Sequence, residues 1–370
     1  MYLLYFSIKS ILSCWLHHKD LSHNDIIRSY RCYKEFRKQN SKSLWRILSE
    51  VNYLCKYWHC FPDMYFRFGH FLKQYDDMEV IKSFVPQVAY GKFCSKGLDN
   101  GPYAVLINDK IIFHDLMSFY QLPVSEMLFV FENDHFRSKG VLLDDYQVDC
   151  IIEKLTEDRI FIKRFTGGAA SGISVFIRKD DAYYDNETKI SAAYIRNQFQ
   201  GQKVFFERQL VQESVLSSFN PDTVNTIRIM TLNINNNPQV ISAAVRFGRV
   251  GSYVDNTAKG GVAVSLDIET GRLGEWGIRE YNLNKFYEHP DSHKQFNGIE
   301  VTQWPQVKEL VLRTLKVFPP YRSLGFDVAT TNQGPVIIEI NTGAGIYLSQ
   351  MGKEIGLAHY FGDSIKRHCK

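Results

Sequence analysis

Gly325-Phe326-Asp327-Val328-Ala329-Thr330-Thr331-Asn332-Gln333-Gly334-Pro335-Val336-Ile337-Ile338-Glu339-Ile340-Asn341 decides how the rest of the chain is read. Its β-branched and aromatic flanks predict strands over 325–331 and 335–340, and Thr331 to Pro335 between them has the composition of a hairpin turn. Side chains alternate across a strand, so Glu339 and Asn341 share one face while Val336, Ile338 and Ile340 take the other. The hairpin brings Asp327 opposite Glu339 or Asn341. Three oxygen donors with no His or Cys among them select a hard cation, Mg²⁺ or Mn²⁺, and leave room for phosphate oxygens and waters. A polar sheet edge is the alternative reading.

Upstream, Asn225-Thr226-Ile227-Arg228-Ile229-Met230-Thr231-Leu232 alternates Thr226 and Arg228 with apolar neighbours. Arg228 then projects from a sheet, where an unpaired guanidinium is costly, so it must meet an anion: a carboxylate of the protein or one of a substrate. Arg246, on the next strand, is in a similar position. Strands are predicted over 204–207, 226–234, 239–249 and 261–268, with Asn235 to Pro238 as a hairpin turn and a helix near 304–316. Farther back, Phe161 to Val175 reads as a β-run, a small-residue loop and a second β-run. Small residues let successive backbone N–H groups approach an anion, and Lys163 adds a fixed positive charge, an arrangement that suits phosphate. Neither the Walker nor the Rossmann glycine pattern is present, and a tight structural turn is the alternative. Predicted elements before this loop are strand 103–107, helix 110–120, strand 127–131, helix 144–155 and strand 159–164, with strand 173–178 after it, an α+β pattern.

A chain of 370 residues exceeds one ordinary hydrophobic core. Texture changes divide it into an N-terminal helical region (1–85), a first α+β region with the small-residue loop (86–203) and a C-terminal region with the adjacent acidic strands (204–370). Apolar residues at 45% and charged residues at 23% describe a soluble globular protein and exclude wholesale disorder, collagen-like repetition and a polytopic membrane protein. The net charge of +4 gives no argument for a nucleic-acid partner. Seven scattered cysteines lack any C-x-x-C spacing and fit a reducing cytoplasm. Met1 to Leu16 is apolar but interrupted by Lys9, lacks a preceding basic run and is too short to span a bilayer. It reads as an amphipathic helix packed on the body, with peripheral membrane association as the alternative. From Ser22 to Trp58 apolar residues recur at helical spacing, Ser22 and Asp25 suit a capping box, and Arg28, Arg31, Lys34, Arg37 and Lys38 read as a solvated face. His59, His70, His114 and His135 form no ligand spacing on one helix face and read as surface or satisfied core histidines, His114 standing out because it lies one turn after Lys110.

These segments in this order, with Asn108-Asp109-Lys110 opening a helix, Phe205 to Leu210 leading into the sheet, Asn220-Pro221, and Asp255-Asn256 before Gly260-Gly261, resemble the ATP-grasp superfamily over roughly residues 86 to 350. More narrowly, they resemble its sugar-transfer-associated branch. The resemblance implies an ATP-grasp fold of two α+β subdomains gripping ATP. Lys110 and Lys163 would meet the nucleotide phosphates, the segment with Gly167, Gly168 and Gly172 would be the flap over them, and Glu207, Arg208, Gln209 and Leu210 the hinge that reads adenine. Glu213 would contact ribose, Arg228 would neutralise the transferred phosphoryl group with Arg246 beside it, and Asp327, Glu339 and Asn341 would hold Mg²⁺. The implied chemistry is that of an ATP-dependent carboxylate–amine ligase working through an acyl phosphate, joining an amino acid or small acid to an amine or amino sugar in surface polysaccharide assembly. A kinase acting on a small-molecule acceptor and a non-catalytic ATP-binding module are the alternatives.

Overall fold

The computed structural model describes residues 23–95, 102–165, 173–257, 260–279, 282–319, 321–362 and 365. Two compact units emerge: Met1–Ala104 with Ser214–Val328 and Glu339–Lys370, and Val105–Glu213 with Ala329–Ile338.

The second unit is built on an eight-stranded sheet of β1 (Met127–Glu132), β2 (His135–Ser138), β3 (Val141–Leu143), β4 (Arg159–Arg164), β5 (Ile173–Lys179), β6 (Ala182–Asp185), β7 (Thr188–Lys189) and β8 (Val204–Arg208). Their spatial order is β3-β2-β1-β8-β4-β5-β6-β7. Every neighbouring pair is antiparallel, so the unit is a set of hairpins into which the late strand β8 inserts between β1 and β4. Helices Asp145–Glu153 and Ala192–Gln198 close one face. The first begins in a reciprocal capping box between Asp144 and Gln147, and Ser191 caps the second. Phe129, Phe136, Phe176 and Phe206 form the aromatic centre of this core together with Val148, Ile152 and Ile195 from the helices. Helix Lys110–Phe119 is capped by Asp109, whose carboxylate accepts from the Ile111 and Ile112 amides at 2.9 and 3.1 Å.

The other sheet has six strands, β9 (Ile227–Ile234), β10 (Asn237–Phe247), β11 (Val262–Leu266), β12 (Leu273–Ile278), β13 (Ser323–Thr331) and β14 (Gly334–Thr342), in the order β12-β11-β10-β9-β13-β14. Asn235 and Asn236, with φ of 54° and 60°, make the left-handed two-residue turn between β9 and β10 that their residue types predict. Met230, Leu232, Ala244, Ala263 and Ile278 of this sheet share a core with Ile47, Val51, Leu54 and Trp58 of helix Leu44–Trp58. The Tyr90 hydroxyl donates to Ser323 Oγ at 2.7 Å, and the Gln350 amide holds Val85 by both its N–H and its carbonyl. The N-terminal helices therefore have no separate core; they cover the sheet of the C-terminal half. Helix Trp304–Leu315 packs against β10, with Val307, Leu310 and Val311 buried.

The predicted helices 110–120, 144–155 and 304–316 and the long strands stand where sequence places them, within a few residues. The strand expected at 103–107 does not form. Pro102–Ala104 is a 3-10 turn and Val105–Asn108 a helical turn in which Ile107 is the buried residue, because this segment leads into the Asp109 cap and buries no alternating face. At two to four residues, β2, β3, β6 and β7 are too short to show a side-chain period, and β12 is not predicted either. Met1 to Leu16 and Ser22 lie outside the described residues, as do Gly167, Gly168 and Gly172. No helix among the described residues is long and apolar enough to cross a membrane.

Candidate functional site

Polar side chains gather at two places, one in each unit. In the first unit, Arg228 on β9 and Asp327 on β13 are direct cross-strand partners. Residues opposite each other in an antiparallel pair project from the same face, so the register alone sets guanidinium against carboxylate. Arg228 donates from Nε to Asp327 Oδ1 at 2.5 Å and from Nη2 to Oδ2 at 2.9 Å, the two-pronged geometry that suits a fixed fork of donors. Arg246 on β10 reaches the same carboxylate, with Nη2 3.2 Å from Oδ2. Its Nε and Nη2 donate to Thr226 Oγ1 at 3.1 and 2.7 Å, and Nη2 lies 3.3 Å from Asp255 Oδ1. Asp255 in turn accepts from the Thr226 amide at 2.9 Å and from the Thr226 hydroxyl. Gly325 keeps the same face open, since a β-carbon there would strike Ala344.

Charge in this cluster is nearly dry, with the side chains of Arg228, Arg246 and Asp327 exposed by 15, 12 and 5%. Burial alone would push the Asp327 carboxyl up, but the two guanidiniums outweigh it and hold the group below its ordinary value. Asp255 is raised because burial outweighs its single guanidinium neighbour, Arg246. The Arg246 guanidinium is raised despite its burial by Asp255, Asp327 and Glu339 in turn. Glu339 is thus close enough for its charge to act on the cluster, and Asn341 is half-buried two residues along the same strand. The strict alternation expected in β14 is broken: Ile337 and Ile340 are buried and Ile338 is half-buried. Ile337 is buried because it forms a parallel bridge to Val124, its amide donating to the Pro123 carbonyl at 3.0 Å.

In the second unit, Glu207 on β8 is fully enclosed and receives the Lys163 ammonium from β4, with His114 Nε2 at 3.6 Å and the Ser125 hydroxyl donating at 3.3 Å. Burial pushes this carboxyl up, yet Lys163 and then His114 outweigh it and bring it down to about 2. Arg208 is held by Glu126 at 2.7 Å and Glu157 at 2.6 Å. Beyond the end of β8, Gln209 has a buried Oε1 with no hydrogen-bond donor among the described residues, and Leu210 is half-buried. The Glu213 carboxylate accepts from the Thr330 hydroxyl at 3.0 Å. Lys110 stands in the first turn of its helix, one turn before His114.

The structure brings Arg228, Arg246 and Asp327 together, and it brings Lys163 to Glu207. The partners that sequence reasoning passed over are Thr226, Asp255 and Ser125. Thr226 was within reach, two residues before Arg228 on the same face, whereas Asp255, though its Asp255-Asn256 stretch carries part of the resemblance, is 29 residues from its partner and nothing local ties the two. Among the described residues no three His, Cys, Asp or Glu side chains form a metal-holding group.

The family model for sugar-transfer associated ATP-grasp proteins matches residues 95–366. The chain belongs to this family. No curated protein matches it. Among solved structures, this ATP-grasp chain is similar to the VanG D-Ala:D-Ser ligase from Enterococcus faecalis, at 15% identity over 70% of this chain and 59% of that one, with a TM-score of 0.39. It is also similar to the D-alanine–D-alanine ligase from Coxiella burnetii, at 10% identity over 72 and 59%, with a TM-score of 0.41. The biotin carboxylase from Campylobacter jejuni matches at 13% identity over 72 and 46%, with a TM-score of 0.41. The matched part is about half the length of these proteins.

The residues present fit the groups that an ATP-grasp protein takes. The orphaned Gln209 Oε1 is a buried acceptor suited to the exocyclic amine of adenine. Asp327 is held ionised and uses three of its roughly four lone-pair directions on Arg228 and Arg246, which leaves one for a hard cation.

Proposed function

We propose that this ATP-grasp protein is an ATP-dependent carboxylate–amine ligase that proceeds through an acyl phosphate. The observation that carries this reading is the pair of guanidiniums locked on one carboxylate. Arg228 and Arg246 each spend Nε and Nη2 on protein acceptors, which fixes both guanidinium planes. Two guanidiniums held in this way are suited to oxyanions whose charge grows during transfer.

In this mechanism Arg228 and Arg246 donate to the phosphoryl group as it passes from ATP to the carboxylate of the acid. Lys163 and Lys110 offset phosphate charge. Gln209 and the backbone of Arg208 and Leu210 take the adenine edge, and Glu213 takes the ribose. Asp327, Glu339 and Asn341 would hold Mg²⁺ or Mn²⁺, which supplies charge neutralisation on the phosphate oxygens. An amine then attacks the acyl phosphate through a tetrahedral intermediate, expelling phosphate and leaving an amide. No nucleophilic side chain of the protein takes part. The family's association with sugar transfer supports an amino acid or similar small acid and an amine or amino sugar as substrates, within polysaccharide assembly in the cytoplasm.

The experiment is a product screen. Purified protein with Mg²⁺ and ATP is mixed with panels of acids and amines, and ADP, phosphate and amides are followed by mass spectrometry. An amide with stoichiometric ADP and phosphate supports the ligase. A stable phosphorylated product from one acceptor makes it a kinase instead. ATP binding without turnover across the panel makes it a binding module.

A further inference from the structure

Thr226 occupies the centre of a chain of donors that has one direction. Its hydroxyl has a single hydrogen, and that hydrogen goes to Asp255 Oδ2, to which the Thr226 amide also donates at 2.9 Å. The lone pairs of the same oxygen are therefore turned to Arg246, which donates to it from both Nε at 3.1 Å and Nη2 at 2.7 Å. Asp255 also draws Arg246 Nη2 directly, at 3.3 Å, while Asp327 takes it from the other side at 3.2 Å. All of this is buried, with Thr226 and Asp255 exposed by 5 and 7%.

We propose that Asp255 is a positioning residue. Acting through Thr226, it fixes the Arg246 guanidinium on the Asp327 carboxylate that Arg228 also holds, so that both arginines meet the phosphoryl group in transfer. This rests on the ATP-dependent reading above. The carboxylate is needed because both its oxygens accept, one from Thr226 and one facing Arg246. An asparagine at 255 keeps the shape and can still offer its amide oxygen to the Thr226 amide and hydroxyl, but its N–H₂ then faces Arg246 Nη2, two donors against each other. The direct pull on Nη2 is lost with the charge.

The test uses the full chain labelled with ¹⁵N-arginine and compares wild type with Asp255→Asn, Thr226→Val and Thr226→Ser, with Arg246→Met identifying the Arg246 signals. In wild type and in Thr226→Ser, separate Arg246 Nη1 and Nη2 resonances should report a guanidinium that does not rotate. In Asp255→Asn and Thr226→Val they should merge. ADP release with Mg²⁺, ATP and the acid and amine panels should fall about tenfold or more in kcat in Asp255→Asn, in line with the cost of misplacing a positioned group. KM for ATP should stay within roughly threefold, and Thr226→Ser should keep near-normal turnover. Arg246 resonances that stay separate in Asp255→Asn overturn the proposal, and so do merged resonances with unchanged kcat. If wild type gives no turnover with any acid and amine pair, the ligase reading fails, and the resonances alone then decide whether Asp255 holds Arg246.

Discussion

Asp327 binds Arg228 through both its oxygens while the second of them also meets Arg246, so one carboxylate on β13 fixes two guanidiniums on β9 and β10. Replacing it by alanine leaves Arg228 without the carboxylate it grips and leaves Arg246 to Asp255 and Glu339. Breaking a buried pair from one side costs about 3–5 kcal/mol, so Asp327→Ala should lose stability on that scale, and Asp327→Asn less because the amide oxygen still accepts. Urea unfolding checks both, and a loss below about 1 kcal/mol for the alanine variant would contradict the lock.

Arg228 is expected to matter more to rate than to nucleotide binding. Arg228→Met should lower ADP formation by about a hundredfold or more, the scale seen when a donor to developing negative charge is removed. Calorimetric affinity for ATP with Mg²⁺ should change little. Full turnover in a folded Arg228→Met protein would remove the residue from the mechanism.

Acid should attack the second unit through Glu207. Its folded-state carboxyl lies at about 2, below its ordinary 4.5, so the stabilising contribution is complete above about 4.5 and drains away as pH falls toward 2. Glu207→Gln should flatten the pH dependence of the unfolding midpoint across that window while lowering stability at neutral pH. Equal slopes in the two proteins would show that Lys163 does not depend on this carboxylate for its place.

His70 gives a separate slope at higher pH. The ring is buried between Phe84, Tyr75 and Phe68, its Nδ1 has no hydrogen-bond partner among the described residues, and burial together with the nearby Lys42 charge lowers its pKa from 6.5 to about 3. The folded chain keeps this ring neutral while the unfolded chain protonates it, so stability should decline as pH falls from about 6.5 toward 3. His70→Phe should remove that slope above pH 4.5, where Glu207 contributes none, as read by urea midpoints at stepped pH.

Chelation tests the oxygen donors of β13 and β14. Excess EDTA should abolish ADP formation and leave the unfolding midpoint nearly unchanged, because Asp327 is already neutralised by guanidiniums in the fold. Glu339→Gln should raise the Mg²⁺ concentration needed for half-maximal rate. An EDTA-insensitive turnover would exclude a metal at these strands.

Sequence alone determined the hairpins and the long strands, because Asn235-Asn236, Thr331 to Gly334 and the alternating apolar residues around them act through local backbone preference and side-chain period. It also marked Arg228 as a charge that needed an anion, since burial in a sheet leaves a guanidinium no cheap alternative. Which anion it meets was decided by the register of β9 against β13, set by the packing of two whole sheet faces over 99 residues of intervening chain. The same holds for Asp255 and Thr226, and for Lys163 and Glu207, whose strands are brought together only when β8 inserts beside β4. Local rules fix which side chains share a strand face, but only the closed core, by excluding water around them, decides which opposite charges must touch.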